Sequence, residues 1–255
     1  MNRIGLLIAL AIAAFVGFVF GLYPELDLEL SALFFHGDRS VFTTYYYPRS
    51  RLLRDATMWL IASLLVPALV ALTVKLMRSR QPLLVSGRAI VFLLATLALG
   101  PGLAVNAGFK DHWSRSRPAD VSQFGGAERF TAWWDPRGSC PKNCSFVTGD
   151  GAAAFWTLAP AALAPPAWRP AAYAAALAFG SAVSLLRMIS GGHFFTDVVG
   201  AGVIVFLIVW LMHGLIYRWP RTRISDAAIE NAIDRLLARC REVMASLAGR
   251  RWQRP

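Results

Sequence analysis

The segment 198-VVGAGVIVFLIVWLMHGLIY-217 runs for twenty positions without Asp, Glu, Lys or Arg, and it decides the fold class. About 20 apolar residues are needed for a helix to cross a hydrocarbon core roughly 30 Å thick. Five other segments are apolar over similar lengths, and the six predicted spans are Ile4–Tyr23, Thr57–Leu76, Ala89–Phe109, Gly151–Ala167, Pro170–Met188 and Val198–Tyr217. The composition agrees, because 56% of the residues are hydrophobic and only 16% are charged. The sequence predicts an all-α bundle of six transmembrane helices.

The first apolar segment has two interpretations. Arg3 precedes it, as a basic residue precedes the apolar core of a secretory signal peptide. The apolar run is longer than such a core, however, and no Ala-x-Ala cleavage site follows it. We therefore favour a retained membrane anchor. An even number of spans then places both termini on the same side of the membrane.

The charged residues are distributed unequally between the two predicted faces. The face with the termini carries 15 of the 26 Lys and Arg residues but only 4 of the 15 acidic ones, so the whole net charge of +11 lies there. Because basic residues are enriched in cytoplasmic loops, this face is predicted to be cytoplasmic. The asymmetry accounts for the basic composition without nucleic-acid binding.

Residues 1–217 form the predicted membrane domain, and residues 218–255 form a basic tail. In the tail, Ile229, Ile233 and Leu236 recur at helical spacing, which predicts an amphipathic helix. Such a helix can lie on an anionic inner leaflet, or it can pack against a second copy. On the opposite face, a long loop joins the third and fourth spans. A loop of that length is commonly functional.

Three cysteines divide between the two faces. Cys140 and Cys144 lie in the outer loop, and Cys240 lies in the tail. An oxidising exterior would join the first two in a disulfide directly before Ser145 and would leave Cys240 as a thiol. Two free thiols in the outer loop are the alternative.

Three polar segments occur at the predicted outer face: 110-KDHWSRSRP-118, 145-SFVTGD-150 and 187-RMISGGHFFTD-197. They supply three cations, Lys110, Arg117 and Arg187, whose placement at a membrane face is costly unless an anion pairs with them. A phosphate fits, because arginine binds its oxygens two at a time and lysine adds a point charge. The Thr148 hydroxyl and the Thr148 and Gly149 amides are further candidate donors.

His193 and Asp197 are four residues apart, a spacing that lets the carboxylate orient the imidazole. With one ring nitrogen held by Asp197, the other is free to attack phosphorus, which predicts a nucleophilic His193 and a phosphohistidine intermediate. A His-Asp pair with only a structural role at the interface is the alternative. The two other polar segments favour the catalytic interpretation.

The three segments together resemble the type-2 phosphatidic acid phosphatase superfamily, which includes the vanadium haloperoxidases and is marked by Lys-x6-Arg-Pro, Pro-Ser-Gly-His and Ser-Arg-x5-His-x3-Asp. The resemblance covers residues 4 to 217 and implies that fold. It implies phosphate binding by Lys110, Arg117, Thr148, Gly149 and Arg187. It also implies catalysis by His193 and Asp197 without a cofactor or a metal.

Four positions depart from the family pattern. Leu186 stands where the family has serine, and Val147-Thr148-Gly149-Asp150 replaces Pro-Ser-Gly-His, so Asp150 stands where the family has the histidine that protonates the leaving group. An unperturbed aspartate is ionised at neutral pH and cannot donate a proton. Asp150 therefore needs a raised pKa to act as the acid, or another group, such as His112, replaces it.

The segments 109-FKDHW-113 and 142-KNCSFV-147, with the acidic Asp150, are similar to the lipid A 4′-phosphatase branch. This similarity implies a phosphatase of a Gram-negative inner membrane, with a periplasmic active site and lipid A or a related anionic lipid as substrate. Phosphatases of undecaprenyl diphosphate or phosphatidylglycerophosphate are alternatives, as is a non-catalytic relative that binds an anionic lipid. Four further loop cations, interpreted either as attracting the substrate or as ordinary solvated charges, are Arg115, Arg129, Arg137 and Lys142.

Overall fold

The structure is a computed structural model that describes residues 2–43, 50–78 and 81–251. Within these residues, five helices are long and apolar enough to cross a membrane, namely Arg3–Leu22, Arg54–Met77, Gly87–His112, Arg169–Ile189 and Phe195–Arg218. They correspond to five of the six predicted spans, and the predicted all-α class is confirmed. Six long spans are not confirmed, because the segment predicted as the fourth has a different structure.

The described elements are mostly helices. They are α1 (Arg3–Leu22), α2 (Leu26–Ala32), strands β1 (Phe35–His36) and β2 (Val41–Phe42), α3 (Ser50–Met77), α4 (Gly87–Leu97), a π-helical continuation (Ala98–Phe109), α5 (Lys110–His112), α6 (Gly149–Phe155), α7 (Leu158–Ala162), α8 (Arg169–Ile189), α9 (Phe195–His213) with a π-helical end (Gly214–Arg218), and α10 (Asp226–Arg251). The strands pair antiparallel, with Phe35 opposite Phe42.

The predicted fourth span is divided into the short helices α6 and α7. Pro160 lies in the first turn of α7, where its ring prevents the chain from continuing the helix through Trp156. The Thr157 hydroxyl donates instead to the Ala154 carbonyl at 2.7 Å. Both short helices are largely buried, with Trp156 fully enclosed. Overall hydropathy therefore predicted a membrane-embedded segment, but proline decided that it is not one long helix.

Two long helices start and two others end at the end of the bundle where the polar segments lie. Arg54 at the start of α3 reaches Asp150 at the start of α6, and Arg187 at the end of α8 reaches the same carboxylate. Phe20 near the end of α1 packs on Phe195 at the start of α9. One end of the bundle therefore gathers all three polar segments.

The opposite end carries the tail. Lys75 Nζ lies 3.2 Å from Glu230 Oε1 and 2.9 Å from Asp234 Oδ1, and Arg88 pairs with Asp226 at 2.9 Å. The predicted tail helix is thus present as α10. Its acidic residues attach it to the connection between α3 and α4, a contact that the sequence analysis did not predict.

Candidate active site

The loop between α5 and α6 covers the end of the bundle and is fastened to it by backbone hydrogen bonds. The Cys144 amide donates to the Lys110 carbonyl at 2.9 Å, and the Ser145 amide donates to the Arg115 carbonyl at 2.8 Å. These bonds bring the first and second polar segments together over the start of α9. Cys140 and Cys144 are bonded as a disulfide, with Cα atoms 5.7 Å apart, and Cys240 is an exposed thiol.

Asn143 joins two of the predicted phosphate ligands. Its side-chain oxygen accepts a hydrogen bond from Lys110 Nζ at 2.8 Å, and its backbone carbonyl accepts one from Arg117 Nη2 at 2.7 Å. Arg117 and Arg187 lie on the wall of one cavity of about 650 Å³. Asn143 lines the same cavity and holds Lys110 beside it, so the three cations lie close together. Asn143 lies in the segment 142-KNCSFV-147 that carries the resemblance, but the sequence reasoning assigned it no contact with the cations.

Two glycines let the chain pass close to these cations. A Cβ at Gly192 would lie 2.6 Å from Arg187 Nη2, and a Cβ at Gly149 would lie 3.2 Å from Lys110 Cε. A Cβ at Gly192 would require the Arg187 guanidinium to move, and a Cβ at Gly149 would require Lys110 to shift by a few tenths of an ångström. Thr148 is fully buried, and its hydroxyl accepts the Gly151 amide at 3.2 Å, so it caps α6. A capping hydroxyl still has its own proton to donate.

His193 is buried at the base of this site, with 2% of its side chain exposed. Its Nδ1 lies 2.7 Å from the Ser145 carbonyl oxygen. Because a carbonyl can only accept, Nδ1 carries the proton and Nε2 has the free lone pair. Burial lowers the pKa of His193 below its ordinary value, and Asp197 opposes this only in part. The ring is therefore neutral at neutral pH, as a nucleophile must be.

Asp197 acts on His193 differently from the expected direct hydrogen bond. Its Oδ2 is 3.7 Å from Nδ1, a distance for charge attraction rather than a hydrogen bond. The same oxygen accepts from Ser145 Oγ at 2.5 Å and from the Phe194 amide at 2.8 Å. Ser145 thus connects the pair, with its carbonyl on the histidine and its hydroxyl on the aspartate. The expectation that Asp197 alone fixes the tautomer requires this correction.

Arg115 was interpreted either as attracting the substrate or as an ordinary solvated charge, and its burial contradicts both interpretations. Its side chain is completely buried and bridges two carboxylates, with Nη1 2.6 Å from Asp197 Oδ1 and Nη2 2.8 Å from Asp27 Oδ2. The guanidinium also stacks on the Phe194 ring at 4.3 Å. Asp27 comes from α2, and it was missed because neither sequence spacing nor a family motif marks it. The other three loop cations are exposed, and Arg137 pairs with Asp135 at 2.8 Å.

Asp150 is held by two arginines. Its Oδ2 lies 2.9 Å from Arg54 Nε and 3.4 Å from Arg187 Nε. Two guanidinium groups therefore lie against the same carboxylate oxygen. His112 is exposed, and its Nδ1 lies 2.9 Å from the Gly108 carbonyl oxygen. Arg54 was not identified from sequence, because it lies 96 positions from its partner.

Two cavities adjoin the polar residues. The 650 Å³ cavity is polar and includes Asp120, Glu128 and the disulfide-closed loop together with Arg117 and Arg187. A second cavity of about 690 Å³ is an apolar groove between α1, α8 and α9, and it extends from Phe195 to Asn2. One cavity suits a hydrophilic group and the other suits hydrocarbon chains.

A membrane-embedded helical bundle with clustered cations and a buried neutral histidine defines a class of phosphate-ester enzyme. A family model described as PAP2 superfamily matches residues 89–224. The chain belongs to the PAP2 superfamily and is a phosphoric monoester hydrolase acting on lipids.

Three similar proteins support this family assignment. A protein of Francisella tularensis subsp. novicida (strain U112) named Lipid A 4'-phosphatase is 33% identical over 219 residues, which cover 86% of this chain and 98% of that protein. A Rhizobium leguminosarum protein with the same name is 39% identical over 106 residues, which cover 42% of this chain and 46% of that protein. A Rhizobium etli protein of that name is 36% identical over 105 residues, 41% of each chain. No solved structure matches.

Proposed function

We propose that the protein hydrolyses the 4′-phosphate monoester of lipid A, or of a lipid A precursor, through a phosphohistidine on His193. The observation that carries the proposal is the buried His193, whose Nδ1–H donates to the Ser145 carbonyl and whose Nε2 is free. Lys110, Arg117 and Arg187 surround the place where the phosphate would bind. Cations there would offset the charge that develops on the phosphoryl oxygens during transfer.

In the first step, His193 Nε2 forms a bond to phosphorus while the ester P–O bond breaks, and the leaving oxygen takes a proton. In the second step, a water oxygen attacks phosphorus, the P–N bond breaks, and inorganic phosphate leaves. Asp150, positioned by Arg54 and Arg187, is suited to both proton transfers. Its protonated carboxyl gives the proton to the leaving oxygen in the first step, and the resulting carboxylate takes the proton of the attacking water in the second. A sugar alcohol needs such a proton, since it is a poor leaving group.

The two cavities support a glycolipid substrate. The polar cavity lies beside Arg117 and Arg187, so a sugar attached to the bound phosphate would enter it. Asp120 and Glu128 on its wall can accept hydrogen bonds from sugar hydroxyl groups. The apolar groove between α1, α8 and α9 offers a surface for acyl chains. The names of the three similar proteins add support for lipid A as the class of substrate.

A comparison of purified lipids tests the substrate. The protein in detergent is incubated separately with lipid A, undecaprenyl diphosphate and phosphatidylglycerophosphate, and the products are identified by mass spectrometry. We expect lipid A to lose one phosphate, with the fragment ions placing the loss at the 4′ position. Release of phosphate only from the diphosphate would disprove the assignment, and no release from any lipid would favour a non-catalytic lipid-binding protein.

We further propose that the protein lies in a Gram-negative inner membrane, with its site in the periplasm and both termini in the cytoplasm. The support is the concentration of the net +11 charge at the end of the bundle that carries α10. On this proposal, residues 1–217 form the catalytic membrane domain, and residues 218–255 form a cytoplasmic tail.

Labelling of cysteines in intact cells tests this orientation. After mild reduction, an impermeant maleimide should label Cys140 but not the exposed thiol of Cys240. Permeabilised cells should show labelling of both residues, which is the control for accessibility. Labelling of Cys240 alone in intact cells would reverse the orientation.

A further inference from the structure

A buried cluster of three charges lies behind the nucleophile. Arg115 bridges Asp27 and Asp197, and the side chains of all three are at most 1% exposed. Thr196 fastens the cluster further, since its hydroxyl donates to Asp27 at 2.5 Å and accepts from Arg115 at 2.8 Å. The Thr196 amide also donates to Asp27 at 3.1 Å. The start of α9, which carries Asp197, is thus joined to α2 and to the outer loop.

The charges of this cluster do not cancel. Burial raises the pKa of Asp27 and Arg115 opposes this shift. The Asp27 oxygens accept from Arg115 Nη2, from the Thr196 hydroxyl and from the Thr196 amide, as an ionised carboxylate does. With both aspartates ionised, two carboxylates and one guanidinium leave one net negative charge, located 3.7 Å from His193 at its nearest oxygen. If Arg115 had Asp197 as its only partner, the attraction of that carboxylate for the imidazole would be largely offset. Because Asp27 shares the guanidinium, Asp197 keeps part of its charge for His193. Unbalanced buried charge is costly, so its presence beside a nucleophile calls for a functional reason.

We propose that Asp27 and Arg115 are positioning residues for His193: they fix Asp197 in place and leave one net negative charge to stabilise the positive ring formed on phosphorylation. The inference rests on the proposed role of His193 as nucleophile. When Nε2 bonds to phosphorus, the ring becomes cationic because Nδ1 keeps its proton. The negative cluster is then neutralised, so the interaction is stronger in the phosphorylated state than in the resting one.

Other charged groups also face His193 and must be held constant. Lys110 from α5 and Arg187 from α8 both disfavour a positive ring, whereas Asp197 from α9 favours it. Arg115 acts through its contact with Asp197, and Asp27 acts through its contact with Arg115. We assign neither residue a contact with the substrate phosphate, so substrate binding should be insensitive to them. Asp27 also lies outside the residues matched by the family model, which begin at residue 89.

The experiment compares the pH dependence of kcat for the wild type, Asp27→Asn, Arg115→Met and the double variant. At acidic pH, kcat should fall as His193 becomes protonated. The pH at which this acidic limb of the pH–rate profile lies reflects the charge around His193. Asp27→Asn removes a negative charge, so the limb should move to lower pH by about one unit, with about a tenfold lower plateau. Arg115→Met should move it to higher pH by a similar amount. KM should change little in each case.

The double variant has the same net charge as the wild type and should recover the wild-type limb. The phosphate group of the substrate titrates equally in all four proteins, so differences among them report the enzyme. Thr196→Val is the matched control, since it removes hydrogen bonds of the cluster without changing a charge. It should lower the thermal stability and leave the limb in place.

Unmoved limbs in both single variants, or a double variant displaced further than either one, would overturn the proposal. If one single variant does not fold, the other and the double variant still give opposite expectations, a moved limb and a restored one. An inactive wild-type protein would instead refute the proposed phosphatase mechanism. The two failures are therefore distinguishable.

Discussion

Replacing His193 with Gln is expected to abolish phosphate release, with a fall in kcat of at least about 10⁴-fold. Glutamine retains a polar side chain of similar reach but has no nitrogen lone pair that can attack phosphorus. The ring is enclosed by the protein, and its Nδ1 is engaged by Ser145, so Nε2 is the nitrogen that is left to attack. The measurement is release of ³²P-phosphate from labelled lipid A by the purified variant.

The same labelled lipid identifies the intermediate. Brief incubation of the wild type followed by alkaline quenching should leave ³²P on the protein, and the label should be lost in acid, as expected for a phosphorus–nitrogen bond. His193→Gln should carry no label. His36→Gln is the matched control, because His36 is an exposed histidine on β1, and it should remain fully active. Normal turnover by His193→Gln would refute the phosphohistidine mechanism.

Replacing Asp150 with Asn is expected to lower kcat on lipid A by about 10² to 10⁴-fold, the usual contribution of a general acid and base. An amide can accept hydrogen bonds from Arg54 or Arg187 but cannot take a proton from water. Asp150→His, which introduces a group able to carry a proton, should restore part of the rate. Asp135→Asn is the matched control, because Asp135 also forms an ion pair with an arginine but lies in the outer loop.

The leaving group separates proton transfer from a purely structural role of Asp150. A phenyl phosphate with a strongly acidic phenol needs no proton on its leaving oxygen. If Asp150 transfers protons, the rate of phosphohistidine formation from this ester should be much less affected by Asp150→Asn than the rate from lipid A. Equal losses for both substrates would show that Asp150 serves only to hold Arg54 and Arg187.

Hydropathy predicted the membrane class and the positions of five long helices, because about 20 consecutive apolar residues match the thickness of the hydrocarbon core. It did not predict the division of the fourth segment. The difference depends on Pro160, whose ring obstructs a helix through Trp156, and on the burial of both halves among neighbouring helices. Such buried segments need not be continuous helices, because surrounding protein can satisfy the backbone.

For the site, spacing identified residues that lie close along the chain or belong to a family motif. His193, Asp197 and Arg187 occupy one eleven-residue segment, and the structure brings this segment to Lys110 and Arg117 as expected. Residues that act through long-range contacts were missed or misread. Arg115 was interpreted as a loop cation that attracts the substrate or is solvated, because nothing in its neighbourhood along the chain shows that it bridges Asp27 and Asp197.

The sequence alone determined that this is a membrane protein with a cationic, histidine-bearing site, since those properties follow from residue types and short spacings. Only the tertiary structure decided how the site is charged. Asp150 meets Arg54 from 96 positions away, and Asp27 meets Thr196 from 169 positions away. The strength of a charge interaction depends on distance through space and on exclusion of water, and neither is written in the order of residues.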